Sequence, residues 1–155
     1  KIIASECLIR WEHPQRGLVL PSEFIPLAEE KGIIETIGKW VIKEAVDQNQ
    51  ILHQSGYLKT NFSINISPRQ FRFQDIPEIF KRIREEVCID LQAITLEITE
   101  TSVMEDMDRS IKLLKTLRDM GISIMLDDFG TGYSSINNLR FLPVSGIKID
   151  LSLGV

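Results

Sequence analysis

Cysteine and histidine are scarce in this chain, at two residues each. Cys7 and Cys88 lie far apart with no Cys-x-x-Cys spacing. That pattern excludes a disulfide framework or a thiolate zinc site and points to reduced thiols in a reducing compartment. His13 and His53 read as surface residues, and neither pairs with a Ser or Cys nucleophile. There is no basic excess: 18 Lys+Arg stand against 22 Asp+Glu, a formal charge of −4. A general DNA or RNA binder needs a basic surface, so that class is excluded. No apolar run reaches membrane-span length, because the densest stretch, 32–46, is interrupted by Glu35, Lys39, Lys43 and Glu44. Aromatics are few, at 7%, and Trp11 and Trp40 read as core residues. No repeat, low-complexity tract or Gly/Ser linker is visible. The chain begins at Lys1 with neither Met nor signal peptide, and so reads as an excerpt of something longer.

What is present is a globular composition, 43% hydrophobic over 155 residues, which by length alone suggests one domain. Strand and helix patterns alternate from end to end. Strands are expected at 4–11, 62–67, 94–100, 122–127 and 146–151. Helices are expected at 22–31 with Ser22 as N-cap and Gly32 as stop, at 33–52, 75–87, 108–120 and 134–141. In the 33–52 helix, Ile37, Trp40, Val41, Ala45, Gln48 and Leu52 share one face. Five strands at about 30 residues per βα unit predict an α/β protein with a parallel sheet.

Side chains alternate across a strand, so each strand divides into two faces. One face carries Glu6, Leu8 and Arg10; Ser63, Asn65 and Ser67; Thr95, Glu97 and Thr99; Ser123, Met125 and Asp127; Lys148 and Asp150. The other face is apolar throughout, and Cys7 lies on it as a small buried residue. A wet-sided antiparallel sheet would show the same alternation, but the βα order opposes it. An open doubly wound sheet would demand apolar residues on both faces. A closed barrel satisfies both constraints: apolar faces meet outer helices, polar faces point inward, and the C-terminal strand ends form the active site.

Any one of these acids alone reads as a solvated or salt-bridged carboxylate. Five strands agreeing in phase and chemistry are a cluster. Glu6, Glu97, Asp127, Asp128 and Asp150 bring five carboxylates together, with Lys148 and Arg10 as nearby cations and Asn65 as a neutral oxygen donor. Such oxygen-rich clusters suit Mg²⁺, Mn²⁺ or Ca²⁺. No thiolate falls on the polar faces and no His on an expected strand, which argues against zinc. Adjacent Asp127 and Asp128 at a strand end suit one metal or a two-metal pair for phosphoryl displacement. The Gly-Thr-Gly at 130–132 is too short to be a dinucleotide fingerprint.

The motifs, in order, resemble one family. Glu6-Cys-Leu-Ile-Arg-Trp11 resembles the signature of the EAL domain, with Cys7 where alanine is usual. Pro21 and the segment 24–32 resemble the family's next stretch. Ser63-Ile-Asn-Ile-Ser67, Leu96-Glu-Ile-Thr-Glu100, the segment 127–135 and Lys148-Ile-Asp150 resemble the later motifs, so the likeness covers the whole chain. It implies a bacterial cyclic di-GMP phosphodiesterase on a modified (β/α)₈, TIM-like barrel, using Mg²⁺ or Mn²⁺ to give linear pGpG and inhibited by Ca²⁺. By motif, Glu6, Asn65, Glu97 and Asp127 are the implied metal ligands, and Asp128 and Asp150 serve a second metal or its water. Lys148 positions or activates the attacking water, Arg10 holds a substrate phosphate and Leu8 contacts the ligand. Glu100 anchors the 128–135 loop, which in the family also takes part in dimerisation.

A complete barrel of this kind takes about 250 residues and eight strands. Residues 1–155 are therefore expected to be a partial EAL domain of about five βα units, lacking the first strand and the C-terminal strands. Isolated, the fragment is expected to be inactive and to associate through its sheet edges. The family's later glutamate and glutamine have no counterpart here. That leaves a non-hydrolysing cyclic di-GMP receptor as the alternative, with an interaction scaffold ranked last. The expected setting is a cytoplasmic domain with sensory or GGDEF (diguanylate-cyclase-like) domains attached; tethering of the intact protein to a membrane stays open.

Overall fold

A computed structural model describes residues 4–56, 60–87, 89–130 and 139–150. Cys88, much of the expected 134–141 helix, the outer part of the 128–135 loop and the last residue of the expected 146–151 strand lie outside them. Among the described residues the main sheet contains β1 (Ala4–Cys7), β4 (Asn61–Ile66), β5 (Ile94–Thr99), β6 (Ser123–Phe129) and β7 (Gly146–Ile149), in that spatial order. Every neighbouring pair is parallel. Sequential parallel strands need crossovers, and helices supply them. The result is the expected α/β architecture, a curled partial barrel.

The helices are α1 (Pro21–Glu30), α2 (Ile34–Gln54), α3 (Pro68–Phe73), α4 (Ile76–Glu86), α5 (Glu100–Met104) and α6 (Met107–Asp119). Local chemistry explains their starts. The Asp75 side chain accepts the Glu78 N–H ahead of α4, and Asp106 accepts the Arg109 N–H ahead of α6. Pro68 ends β4 as expected, and it also opens α3, where Ser67 and Gln70 form a capping box. α1 begins one residue before the expected cap: Leu20 is its N-cap without a side-chain bond, and Pro21 occupies the first turn.

The apolar strand faces form the core. Ile64, Ile66, Leu96, Ile98, Ile124 and Leu126 pack with Ile42, Val46, Phe80, Leu114 and Leu117. Each such side chain contributes about 1.5–3 kcal/mol through burial. β5 is central and buried on both sides, so Thr95 and Glu97 are buried along with Leu96 and Ile98.

Several expectations are corrected. The strand expected over 4–11 stops at Cys7. Trp11–His13 forms β2, which pairs antiparallel with β3 (Gly17–Val19) as a separate ribbon. His13 is therefore on a strand after all, where its Nδ1 accepts the Gln15 N–H across the turn. The buried side of α2 carries Ile34, Gly38, Ile42, Ala45, Val46 and Asn49, so it is rotated from the expected face. Asn49 belongs there because its amide donates to the Thr60 carbonyl. Trp40 and Trp11 are 58% and 43% exposed and are not core residues. Ile147 and Ile149 of edge strand β7 are exposed as well, at 39% and 66%, so its apolar face is not covered as the expected barrel wall would be.

Candidate active site

Strand register sets the site. Asn65 of β4 stands beside Glu97 of β5, and Thr99 of β5 beside Asp127 of β6. All project on the polar face, at or near the C-terminal strand ends, as period-two alternation predicts. Glu6, on edge strand β1, is in register with Ser63, two residues before Asn65. Its carboxylate closes that gap: Asn65 Nδ2 donates to Glu6 Oε1 at 2.8 Å. The donation leaves Asn65 Oδ1 as the amide's oxygen donor.

Lys148 of β7 reaches back over the sheet. Its Nζ lies 2.6 Å from Glu97 Oε2 and 3.8 Å from Glu6 Oε2. The Glu97 side chain is 1% exposed, and an ionised carboxylate so deep requires a counter-charge. Burial pulls the Lys148 ammonium down in pKa. The hydrogen bond and charge of Glu97, with the charges of Glu6 and Asp127, outweigh this and hold it above its ordinary value.

At the end of β6 the register against β7 slips between Leu126 and Phe129. Asp128 falls within this irregularity with φ +53°, the left-handed region. Its N–H donates to Asp127 Oδ1 at 2.9 Å. Regular alternation would send two successive acids to opposite faces; a slip at this point breaks the alternation at Asp128. Burial, Asp127 and Asp150 push the Asp128 carboxyl up in pKa, while Lys148 opposes them. Asp150 therefore belongs to the same electrostatic neighbourhood.

Glu100, at the start of α5, is almost wholly buried. Its Oε2 accepts the Gly130 N–H at 2.7 Å, so it holds the first residue after β6. Leu8 and Arg10 lie beyond β1 and outside the sheet. Leu8 is 57% exposed and lines a cavity of about 360 Å³ with Asn65, Ser67 and Thr99. The Arg10 guanidinium, exposed, donates to the neighbouring Ile9 carbonyl. Cys7 packs against the core, and burial, then Glu6 and Glu97, raise its thiol pKa.

One supporting contact was not read from the sequence. Gln70 is buried against Gly38 of α2, Oε1 accepting the Ser67 N–H and Nε2 donating to Gln74. It holds the backbone two residues beyond Asn65. The Ser67-x-x-Gln70 spacing after a strand was the available signal.

The donor set is carboxylates and one amide, the chemistry of a hard-cation site. Among the described residues, no three His, Cys, Asp or Glu side chains stand as placed to hold an ion between them. The Lys148 ammonium supplies positive charge between Glu6 and Glu97.

A partial α/β barrel with carboxylates gathered around a lysine near its C-terminal strand ends defines a class of active-site scaffold. Within that class, the EAL domain model matches residues 1–153, and the chain belongs to the EAL domain family. It is 41% identical over 149 residues to the bifunctional diguanylate cyclase/cyclic di-GMP phosphodiesterase MucR of Pseudomonas aeruginosa, covering 96% of this chain and 22% of that protein. It is 44% identical over 147 residues to the oxygen sensor protein DosP of Escherichia coli, covering 95% and 18%. The solved phosphodiesterase PaMucR in complex with c-di-GMP superposes with a TM-score of 0.94 at 40% identity, covering 98% of this chain and 62% of that one. The chain thus spans about a fifth of these curated relatives' length. No helix among the described residues is long and apolar enough to cross a membrane.

Proposed function

We propose that this chain is the metal-binding part of a cyclic di-GMP phosphodiesterase domain, producing linear pGpG. The observation that carries the reading is Lys148 paired with buried Glu97 and with Glu6, beside Asn65, on a sheet whose next strand end presents Asp127 and Asp128. The names of the relatives support the substrate: MucR is called a cyclic di-GMP phosphodiesterase, and its solved form is a c-di-GMP complex.

Glu6, Asn65, Glu97 and Asp127 would hold Mg²⁺ or Mn²⁺, with Asp128 and Asp150 toward a second ion or its water. Bound there, the ion supplies charge neutralisation at the phosphoryl oxygens and a lowered pKa for water. The chain's own residues bind and orient. Arg10 takes a substrate phosphate, and exposed Leu8 packs on the ligand. Lys148, already aimed at the carboxylates, positions the attacking water. Glu100 holds the β6 exit through Gly130. Water adds to phosphorus as a phosphorus–ribose oxygen bond breaks, and the departing oxygen takes up a proton. Ca²⁺, larger and laxer in geometry, is proposed to inhibit. The setting is proposed as cytoplasmic, with further domains attached and a homodimer formed through the 128–135 region or the sheet edges.

The test uses the intact protein with Mg²⁺ and cyclic di-GMP. Linear pGpG from the native form, and its loss on Asp127→Asn, are expected. Binding of cyclic di-GMP without product would establish a receptor and overturn the hydrolase reading.

A further inference from the structure

Lys148 does more in this arrangement than stand near a reaction. Its ammonium contacts two carboxylates proposed as ligands of a divalent cation, at 2.6 Å from Glu97 and 3.8 Å from Glu6. Glu97 is buried and cannot turn to solvent for compensation. Glu6 Oε1 is already engaged by Asn65, which leaves Oε2 as the atom facing the lysine. An ion bound by Glu97 and Glu6 and an ammonium at these distances would be like charges side by side against a buried carboxylate, and they repel even though Lys148 and Glu6 are partly open to solvent.

We propose that Lys148 is the built-in counter-ion of this site, and that a divalent cation enters by exchange, displacing the ammonium from Glu97 and Glu6. This rests on the proposed cation site. The exchange does two things. It keeps buried Glu97 compensated in the ion-free protein, so the site is assembled before any ion arrives. It also frees the lysine when the cation is in place, making its ammonium available to a phosphate or to water only in the loaded state. Lys148 is thus a positioning residue that couples loading to readiness, and it weakens ion affinity as the cost.

The test is Mn²⁺ binding to the intact protein, measured by calorimetry and by electron paramagnetic resonance of free Mn²⁺, with no substrate and no turnover. Lys148→Met keeps the length of the side chain and removes its charge. It is expected to bind Mn²⁺ at least about tenfold more tightly than the native protein, because the competing charge is gone. Lys148→Arg keeps the charge and is expected to bind within about threefold of native, which a merely structural role for the side chain would not predict. Without ions, Lys148→Met is expected to melt on the order of 5 °C lower, since Glu97 is left uncompensated, and to regain that difference as Mn²⁺ is added. Equal or weaker Mn²⁺ binding by Lys148→Met overturns the exchange while leaving the cation site intact. Absence of Mn²⁺ binding by native and variant alike overturns both.

Discussion

Glu100 Oε2 accepts the Gly130 N–H at 2.7 Å, tying the first residue of α5 to the residue just past β6. The contact joins positions thirty residues apart, and β5 and β6 are neighbours in the sheet. It fixes where the chain turns immediately after Asp127 and Asp128. Glu100→Gln retains an oxygen acceptor and should keep most stability. Glu100→Ala leaves the Gly130 donor without this partner and should cost about 1–3 kcal/mol in urea unfolding. Activity of the intact protein should fall more for Ala than for Gln. Equal losses for both would show that the charge, and not the hydrogen bond, is what matters.

Asp128 combines a left-handed backbone with a carboxyl pushed up in pKa by burial, Asp127 and Asp150. For an acid, a raised folded pKa means the charged form is disfavoured in the fold. Stability should therefore fall as pH rises from below about 4 through the raised value. Asp128→Asn removes that charge and keeps a residue tolerant of φ near +53°. In ion-free buffer at pH 7 it should melt at a higher temperature than native, and the difference should vanish in acid. Asp128→Ala also removes the charge but adds backbone strain of about 1 kcal/mol, so it should gain less. Melting curves between pH 3 and pH 7 provide the check.

Gly38 has no room for a side chain. A Cβ there would lie 1.7 Å from Gln70 Nε2 and 2.5 Å from its Cδ. Gly38→Ala must displace the buried end of the Gln70 side chain, and with it the amide's bonds to the Ser67 N–H and to Gln74. A loss of about 2 kcal/mol or more is expected. In the double variant Gly38→Ala with Gln70→Ala, part of that loss should return. Additive losses in the cycle would show that the two positions act separately.

The 155-residue chain expressed alone should bind or hydrolyse cyclic di-GMP poorly and should self-associate. β1 and β7 are the sheet edges among the described residues, and Trp11, Trp40, Ile147 and Ile149 are exposed. Unpaired edges flanked by apolar surface recruit other strands. Light scattering across a concentration series should show mass rising above that of one chain. A monomer turning over substrate as fast as the intact protein would refute this.

Much of the site was legible because strand phase is a local property. Ser63, Asn65, Thr95, Glu97 and Asp127 follow a period of two, and the structure keeps that period. The β2–β3 ribbon is hidden in the sequence because the apolar alternation of Cys7, Ile9 and Trp11 runs straight on, while the chain leaves the sheet after Cys7. The buried face of α2 departs from its hydrophobic pattern for a related reason. Trp40 is hydrophobic and in helical phase, yet the contacts of Gly38 with Gln70 and of Asn49 with Thr60 turn a small residue and a polar one inward. A hydrophobic count cannot anticipate burial won by close approach or by a satisfied hydrogen bond.

The sequence by itself determined the parallel α/β order, the family and the inventory of acids, since periodicity, capping and motif spacing are written along the chain. Only the tertiary structure decided that Lys148, far along the chain from Glu6, bridges Glu6 and buried Glu97. It also decided that a register slip puts Asp128 in the left-handed region, within electrostatic reach of Asp127, Asp150 and Lys148. Both depend on how distant strands are laid side by side. Charge pairing across a sheet is a matter of register and depth, and neither is encoded in any single segment.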